Sequence, residues 1–65
     1  MSIDSLLEKL AKPAQRAILG AGITNLEQLA GFSEAELLAL HGIGKNALAV
    51  IHAALQEHGL SFKDL

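Results

Sequence analysis

The chain has 65 residues, a formal net charge of −2 and no cysteine. A chain this short forms one domain at most, and the absence of cysteine excludes a disulfide framework and thiolate metal sites. The acidic balance excludes a protein that coats nucleic acid through bulk charge, so any nucleic-acid contact must be local. We therefore expect a single domain over residues 1–65.

The apolar residues are mostly leucine and alanine, and the only aromatic residues are Phe32 and Phe62. Leucine and alanine are strong helix formers, so the composition predicts an all-α fold. The apolar runs are much shorter than the roughly 20 residues that span a bilayer. The first residues lack the basic segment of a signal peptide. We expect a cytoplasmic protein without a membrane partner.

In chain order, residues 5–11 predict a first short helix, with apolar side chains at helical spacing. Pro13 fits the first position of a second helix, where its missing N–H costs nothing. The glycines Gly20 and Gly22 predict the end of that helix.

Two short helices with capping boxes follow. Thr24 with Glu27 predicts one box and Ser33 with Glu36 predicts another. In each pair the hydroxyl can accept a hydrogen bond from the backbone N–H three residues later, and the carboxylate can accept one from the backbone N–H of the hydroxyl residue. Gly31 separates the two helices.

The longest helix is predicted over about residues 45–58. Gly59 fits the position after its end. Leu60 and Phe62 can fold back on the core, while the tail, residues 62–65, is expected to fray.

A glycine-isoleucine turn occurs twice, at Gly22-Ile23 and at Gly42-Ile43. Either this is coincidence between two short turns, or the chain holds a pseudo-duplicated pair of helix-hairpin-helix units, the first degenerate. The second interpretation predicts a compact five-helix domain with tandem helix-hairpin-helix topology, which is SAM-like.

The glycine hairpin, Gly42-Ile43-Gly44, lies directly before the longest helix. Its glycines permit unusual backbone angles and close approach of another molecule, and Ile43 can fill the space between helices. The N–H groups from about Gly44 to Asn46 lack helical partners, so with the helix dipole they form an anion site. Lys45 and Asn46 add donors there. The alternative is a tight connector without a ligand.

The longest helix has two contrasting faces at 100° per residue. A core-facing stripe holds Ala47, Leu48, Ile51 and Leu55, and the outward side holds Asn46, Ala49, Val50 and Ala53. Three of those four outward residues are apolar, where a DNA-binding face would be charged. They are either ordinary surface helix formers or a protein contact, including self-association, through Ala49, Val50 and Ala53.

The three histidines do not predict a metal site. His52 and His58 fall on different helix faces and have no carboxylate at ligand spacing, so they and His41 are interpreted as solvated or turn residues. No nucleophile or acid-base pair is apparent, so we expect no enzyme activity, catalytic residue, cofactor or small-molecule substrate.

The stretch from Arg16 to Phe62 resembles the C-terminal domain of the bacterial RNA polymerase alpha subunit. The shared residues are Ile23, Leu29, the run from Glu34 to Leu38, Ile43-Gly44-Lys45, Leu48, Ile51, Leu55 and Gly59-Leu60-Ser61. The resemblance implies a stand-alone, transcription-related bacterial version of that five-helix domain. Such domains bind the DNA minor groove at promoters and contact activator proteins.

Several polar DNA contacts of that family are replaced here. Pro13 occupies the position of its essential arginine, and Arg16 that of an asparagine. Asn46, Ala47 and Val50 occupy the positions of a lysine, a serine and a glutamate. Arg16 and the adjacent Lys12 can replace part of the lost charge.

The sequence therefore predicts weak, non-sequence-specific contact with duplex DNA. The expected DNA-binding residues are Gly42, Ile43, Gly44, Lys45, Asn46, Arg16 and Lys12. The alternative is a protein-interaction module that kept the fold and lost DNA binding.

Overall fold

The computed structural model describes residues 3–63, and this part of the chain contains five α-helices. They are α1 (Asp4–Glu8), α2 (Lys12–Gly20), α3 (Leu26–Ala30), α4 (Glu34–Leu38) and α5 (Lys45–Glu57). The all-α prediction is confirmed. None of the helices within residues 3–63 combines the length and the apolar character needed to cross a membrane.

One apolar core joins all five helices. Helix α5 lies against α1 and α4, and its Ile51 and Leu55 side chains are fully buried. The other helices and the turns between them contribute Leu6, Ala14, Ile18, Ile23, Leu26, Leu29, Leu37 and Ile43. The Cα radius of gyration is 10.2 Å, close to the roughly 11 Å expected for a compact domain of this length.

Two predicted helix starts are shifted by the structure. Helix α2 begins at Lys12, so Pro13 occupies the second rather than the first position, still within the turn whose N–H groups lack helical partners. Helix α1 is shorter than predicted and begins one residue earlier, at Asp4.

The predicted capping box at α3 is wrong by one residue. Asn25, not Thr24, precedes the helix, and its side chain accepts a hydrogen bond from the Gln28 N–H at 2.8 Å. Asparagine caps helices at least as well as threonine, and glutamine can replace glutamate in the box. The box therefore forms between Asn25 and Gln28 rather than between Thr24 and Glu27. The box of Ser33 and Glu36 at α4 is confirmed.

Helix α5 ends as predicted at a left-handed glycine. Gly59 has φ +72°, and the Leu60 N–H donates to the Leu55 carbonyl at 2.7 Å. This six-residue loop closure is the Schellman motif, which reverses the chain direction. The reversal sends the C-terminal segment back over the core.

Phe62 folds back on the core, which confirms one of the two predictions made for it, and the prediction that the tail frays from residue 62 is wrong for Phe62 and Lys63. Phe62 is 1% exposed, and its ring lies 5.6 Å from the ring of His52. The Lys63 N–H donates to the Phe32 carbonyl at 3.1 Å, and its ammonium lies 2.9 Å from a Glu36 carboxylate oxygen. Burial of a large aromatic ring outweighs the usual fraying of chain ends. Residues 64–65 of the predicted tail lie outside the described residues.

Candidate functional site

The glycine hairpin is a tight turn closed by a backbone hydrogen bond. The Leu40 carbonyl accepts a hydrogen bond from the Ile43 N–H at 3.1 Å, and Gly42 has φ +100°. A turn of the type II kind needs a positive φ at this third position, which favours glycine. Ile43 is buried and belongs to the apolar core.

Gly42 packs directly on the backbone at the start of α2. A Cβ atom added at Gly42 would lie 2.5 Å from the Pro13 carbonyl oxygen and 3.0 Å from its carbonyl carbon. No side chain fits at such a distance. The absence of a Cβ therefore lets the glycine hairpin attach to α2, and its freedom at positive φ forms the turn.

The start of α5 has no side-chain cap. Gly44 is the N-cap residue, in extended conformation, and its carbonyl accepts the first helical hydrogen bond, from the Leu48 N–H at 2.9 Å. The N–H groups of residues 45–47 precede that first bond and have no partner within the helix. Lys45 and Asn46 are exposed. Because α5 is 13 residues long, its dipole places partial positive charge at these amides.

An open groove of about 370 Å³ lies beside the glycine hairpin. Residues 9–11 and Ala14 line one side, and Gly42, residues 44–47 and Val50 line the other. We call this the hairpin groove. Its charged residues are Lys9 and Lys45, and it has no carboxylate among the described residues that line it. The sequence prediction missed Lys9, although a lysine directly before the turn between two short helices is the signal that could have found it.

The α1–α2 junction that forms one wall is held by Gln15. Its side-chain amide donates to the Leu7 carbonyl at 2.8 Å and to the Leu10 carbonyl at 2.9 Å. These bonds join α2 to one carbonyl in the last turn of α1 and one in the segment that follows it. The wall that carries Lys9 is therefore fixed to α2.

A second cleft, of about 360 Å³, lies on the other side of Gly42. It is lined by Pro13, Arg16, Ala17, His41 and Gly42. The structure thus brings Arg16 close to the glycine hairpin, where it lines the same cleft as His41. Lys12 is exposed at the start of α2 and lines neither this cleft nor the hairpin groove.

The predicted outer face of α5 is narrower than the helical wheel suggested. Ala49 and Ala53 are exposed, but Val50 is half-buried, packs against the core and lines the hairpin groove. Val50 lies across the hairpin groove from the α1–α2 junction. Larger exposed apolar side chains lie elsewhere, at Leu19 near the end of α2 and Leu38 at the end of α4.

Comparison with protein families, curated proteins and solved structures finds no match to the chain. Within residues 3–63, no three or more His, Asp or Glu side chains are grouped to hold a metal ion. The function is therefore inferred from the glycine hairpin and the two clefts beside it.

Proposed function

We propose that the chain is a DNA-binding module that makes weak, non-sequence-specific contact with the phosphates of duplex DNA. The observation that supports this proposal is the uncapped start of α5, exposed beside a hairpin that is anchored on α2. Amides at such a helix start bind phosphate oxygens, and the helix dipole favours the negative charge. Lys45 supplies a cation and Asn46 a neutral donor at the same place.

The other two cationic residues of the proposal lie on α2, to which the glycine hairpin is attached. Arg16 lies in the cleft beyond Gly42 and Lys12 at the start of α2. Contacts from backbone amides, lysine and arginine to phosphates fix position but do not read bases. Two or three such contacts on a chain of net charge −2 give weak binding.

The two glycine-isoleucine turns support a tandem helix-hairpin-helix, SAM-like interpretation of the fold. Gly22 and Gly42 both have positive φ, +80° and +100°, and each is followed by a buried isoleucine. With the resemblance to the RNA polymerase alpha C-terminal domain, this favours a bacterial, transcription-related role at the minor groove. The proline at position 13 removes that family's main cation, so lower affinity is expected.

A titration of the ¹⁵N-labelled chain with a duplex of mixed sequence tests the proposal. At low salt, the amides of residues 42–47 and those near Arg16 should shift. Lys45→Ala should weaken binding to every sequence tested, whereas Lys63→Ala, which removes the same charge from a residue that lines neither cleft beside the hairpin, should not. With two or three phosphate contacts, raising salt from 50 to 200 mM should weaken binding about 10- to 40-fold. The absence of shifts at residues 42–47 at low salt would refute the proposal.

Gly44→Ala separates binding from folding. Gly44 has φ −109°, which any residue adopts, and a Cβ there would meet nothing within 4 Å. The added methyl group therefore leaves the fold intact but occupies the space through which a phosphate approaches the amides. We expect weaker DNA binding at nearly unchanged stability.

The second candidate is a protein-interaction module that has lost DNA binding. The exposed pair Ala49 and Ala53 on α5 favours it, because together they present a small uncharged strip. Ala53→Glu should abolish a partner contact or self-association, while Ala53→Gln should preserve it in part. Sedimentation that stays monomeric at millimolar concentration would exclude self-association.

A further inference from the structure

The hairpin groove is formed in the free chain. Gln15 fixes the wall that carries Lys9, and the contact of Gly42 with the Pro13 carbonyl fixes the hairpin to the same junction. A site whose walls are already fixed loses little conformational entropy when it is occupied. Its volume of about 370 Å³ is within the range of sites that take a ligand or an anchoring side chain.

The floor of the hairpin groove is apolar. Ala11, Ala14 and Ala47 are small, and Val50 and Leu10 complete the surface between the two walls. Because the side chains on both walls are small, a depression remains between α2 and α5. An occupant therefore gains most by inserting an apolar side chain, because burial of its surface is favourable.

The rim of the hairpin groove is positive. Lys9 lies on one wall and Lys45 on the other, and the lining residues that the structure describes include no carboxylate. This contrasts with the net charge of −2 of the chain. An occupant that complements both rim and floor carries negative charges on either side of an apolar group.

We propose that the hairpin groove binds an acidic peptide segment of a partner protein. One branched aliphatic side chain of the segment enters between Ala14 and Val50, and the carboxylates flanking it pair with Lys9 and Lys45. A DNA strand offers phosphates to the two lysines but no branched side chain to the floor. The apolar floor is therefore the feature that distinguishes a peptide occupant from a DNA strand.

Titration of the ¹⁵N-labelled chain with the blocked peptide Asp-Glu-Leu-Glu-Asp tests the proposal. The amides of residues 9–11, Ala14, residues 45–47 and Val50 should shift along saturable curves. The same peptide with glycine in place of leucine should bind at least fivefold more weakly, because it leaves the floor empty. Equal binding of the two peptides would overturn the proposal, since only bulk charge would then act.

Two matched pairs of variants locate the contacts. Ala11 is the exposed N-cap of α2 and has no capping side chain, so Ala11→Asp and Ala11→Asn both improve the cap. Only the aspartate puts a negative charge into the hairpin groove, and it alone should weaken peptide binding severalfold. Lys9→Gln should likewise weaken binding, whereas Lys12→Gln, with the same charge change outside the groove, should not.

A duplex titration run in parallel separates this proposal from DNA binding. Peptide shifts in the hairpin groove without DNA shifts at residues 42–47 would support the peptide site and refute the DNA proposal. If DNA moves Lys9, Ala11 and Ala14 while the peptide moves none of them, the peptide proposal is overturned. Equal effects of Lys9→Gln and Lys12→Gln on peptide binding would overturn it too.

Discussion

The contact between Gly42 and Pro13 can be tested by adding a single methyl group. Gly42→Ala forces an L-residue into φ +100°, which costs about 1–2 kcal/mol. It also places a Cβ atom 2.5 Å from a backbone carbonyl oxygen that no side-chain rotation can move. Overpacking of this kind costs about 1–3 kcal/mol more. We therefore expect Gly42→Ala to destabilise the chain by about 2–5 kcal/mol.

Substitutions at two other glycines distinguish the cost of backbone strain from the cost of steric overlap. Gly22 has φ +80°, but a Cβ there would meet nothing within 4 Å, so Gly22→Ala should cost only the backbone strain, about 1–2 kcal/mol. Gly44 has neither a positive φ nor a close neighbour. Gly44→Ala should therefore change the stability by less than about 1 kcal/mol, since the entropy lost by the unfolded chain offsets a poorer N-cap.

Urea denaturation followed by far-UV circular dichroism measures the three free energies of unfolding. A domain of this length has a total stability of roughly 3–10 kcal/mol, so Gly42→Ala can leave a substantial unfolded fraction without denaturant. Its midpoint should be the lowest of the three, with Gly22→Ala between it and Gly44→Ala. Equal losses for Gly42→Ala and Gly22→Ala would refute the inference that Gly42 packs on the Pro13 carbonyl.

The C-terminal segment carries two further predictions. Phe62→Ala should lower the free energy of unfolding, measured by urea denaturation, by about 3–5 kcal/mol, and Phe62→Leu should lower it by less. If the tail were frayed, neither substitution would change the free energy of unfolding. The hydrogen bond from Lys63, followed by that from the Ser33 N–H, lowers the pKa of Glu36 below its usual 4.5, so the ionised carboxylate stabilises the fold above that pH. Glu36→Gln, which keeps an acceptor for Ser33, should be less stable than the native chain at pH 7, and the difference should close as pH falls below about 4.5; a constant difference from pH 7 to pH 3 would contradict this.

The helices and the core were predictable because they depend on local patterns. Apolar spacing of three and four residues identified Ile51 and Leu55 on the buried face of α5, and a serine three residues before a glutamate identified the start of α4. The same rule failed at α3, where Thr24-Asn25 offers two adjacent caps and Glu27-Gln28 two adjacent partners. The sequence pattern alone does not show which of two overlapping boxes forms, since either pair could accept hydrogen bonds from the free N–H groups at the helix start.

The candidate site was only partly predictable because it depends on packing between distant segments. The glycine hairpin, Lys45 and Asn46 followed from local sequence. Lys9 and the Pro13 contact did not, because nothing local to α1 or α2 shows that their junction packs beside Gly42. For the same reason a helical wheel placed Val50 outward, whereas it is half-buried and lines the groove beside the α1–α2 junction.

The two glycine-isoleucine turns share a glycine at positive φ and a buried isoleucine, but different hydrogen bonds close them. The Ile23 N–H donates to the Ile18 carbonyl, whereas the Ile43 N–H donates to the Leu40 carbonyl. The helices that begin after the two turns also start differently. After Gly22, the Asn25 side chain accepts from the Gln28 N–H at 2.8 Å, and the Gln28 side chain in turn accepts from the N–H groups of Thr24 and Asn25. Helix α3 has only five residues, so its dipole is small. After the first turn, the N–H groups of Thr24, Asn25 and Gln28 are thus already bonded within the chain.

After Gly42, the start of α5 has no such box, and 13 residues of helix stand behind its amides. A phosphate should therefore discriminate between the turns even if they arose by duplication. In the duplex titration, shifts should appear at residues 45–47 and be absent at residues 25–28. Asn25→Ala should lower the stability by about 1 kcal/mol without changing DNA affinity. Comparable shifts at both turns would mean that the free amides of α5 do not determine where DNA binds.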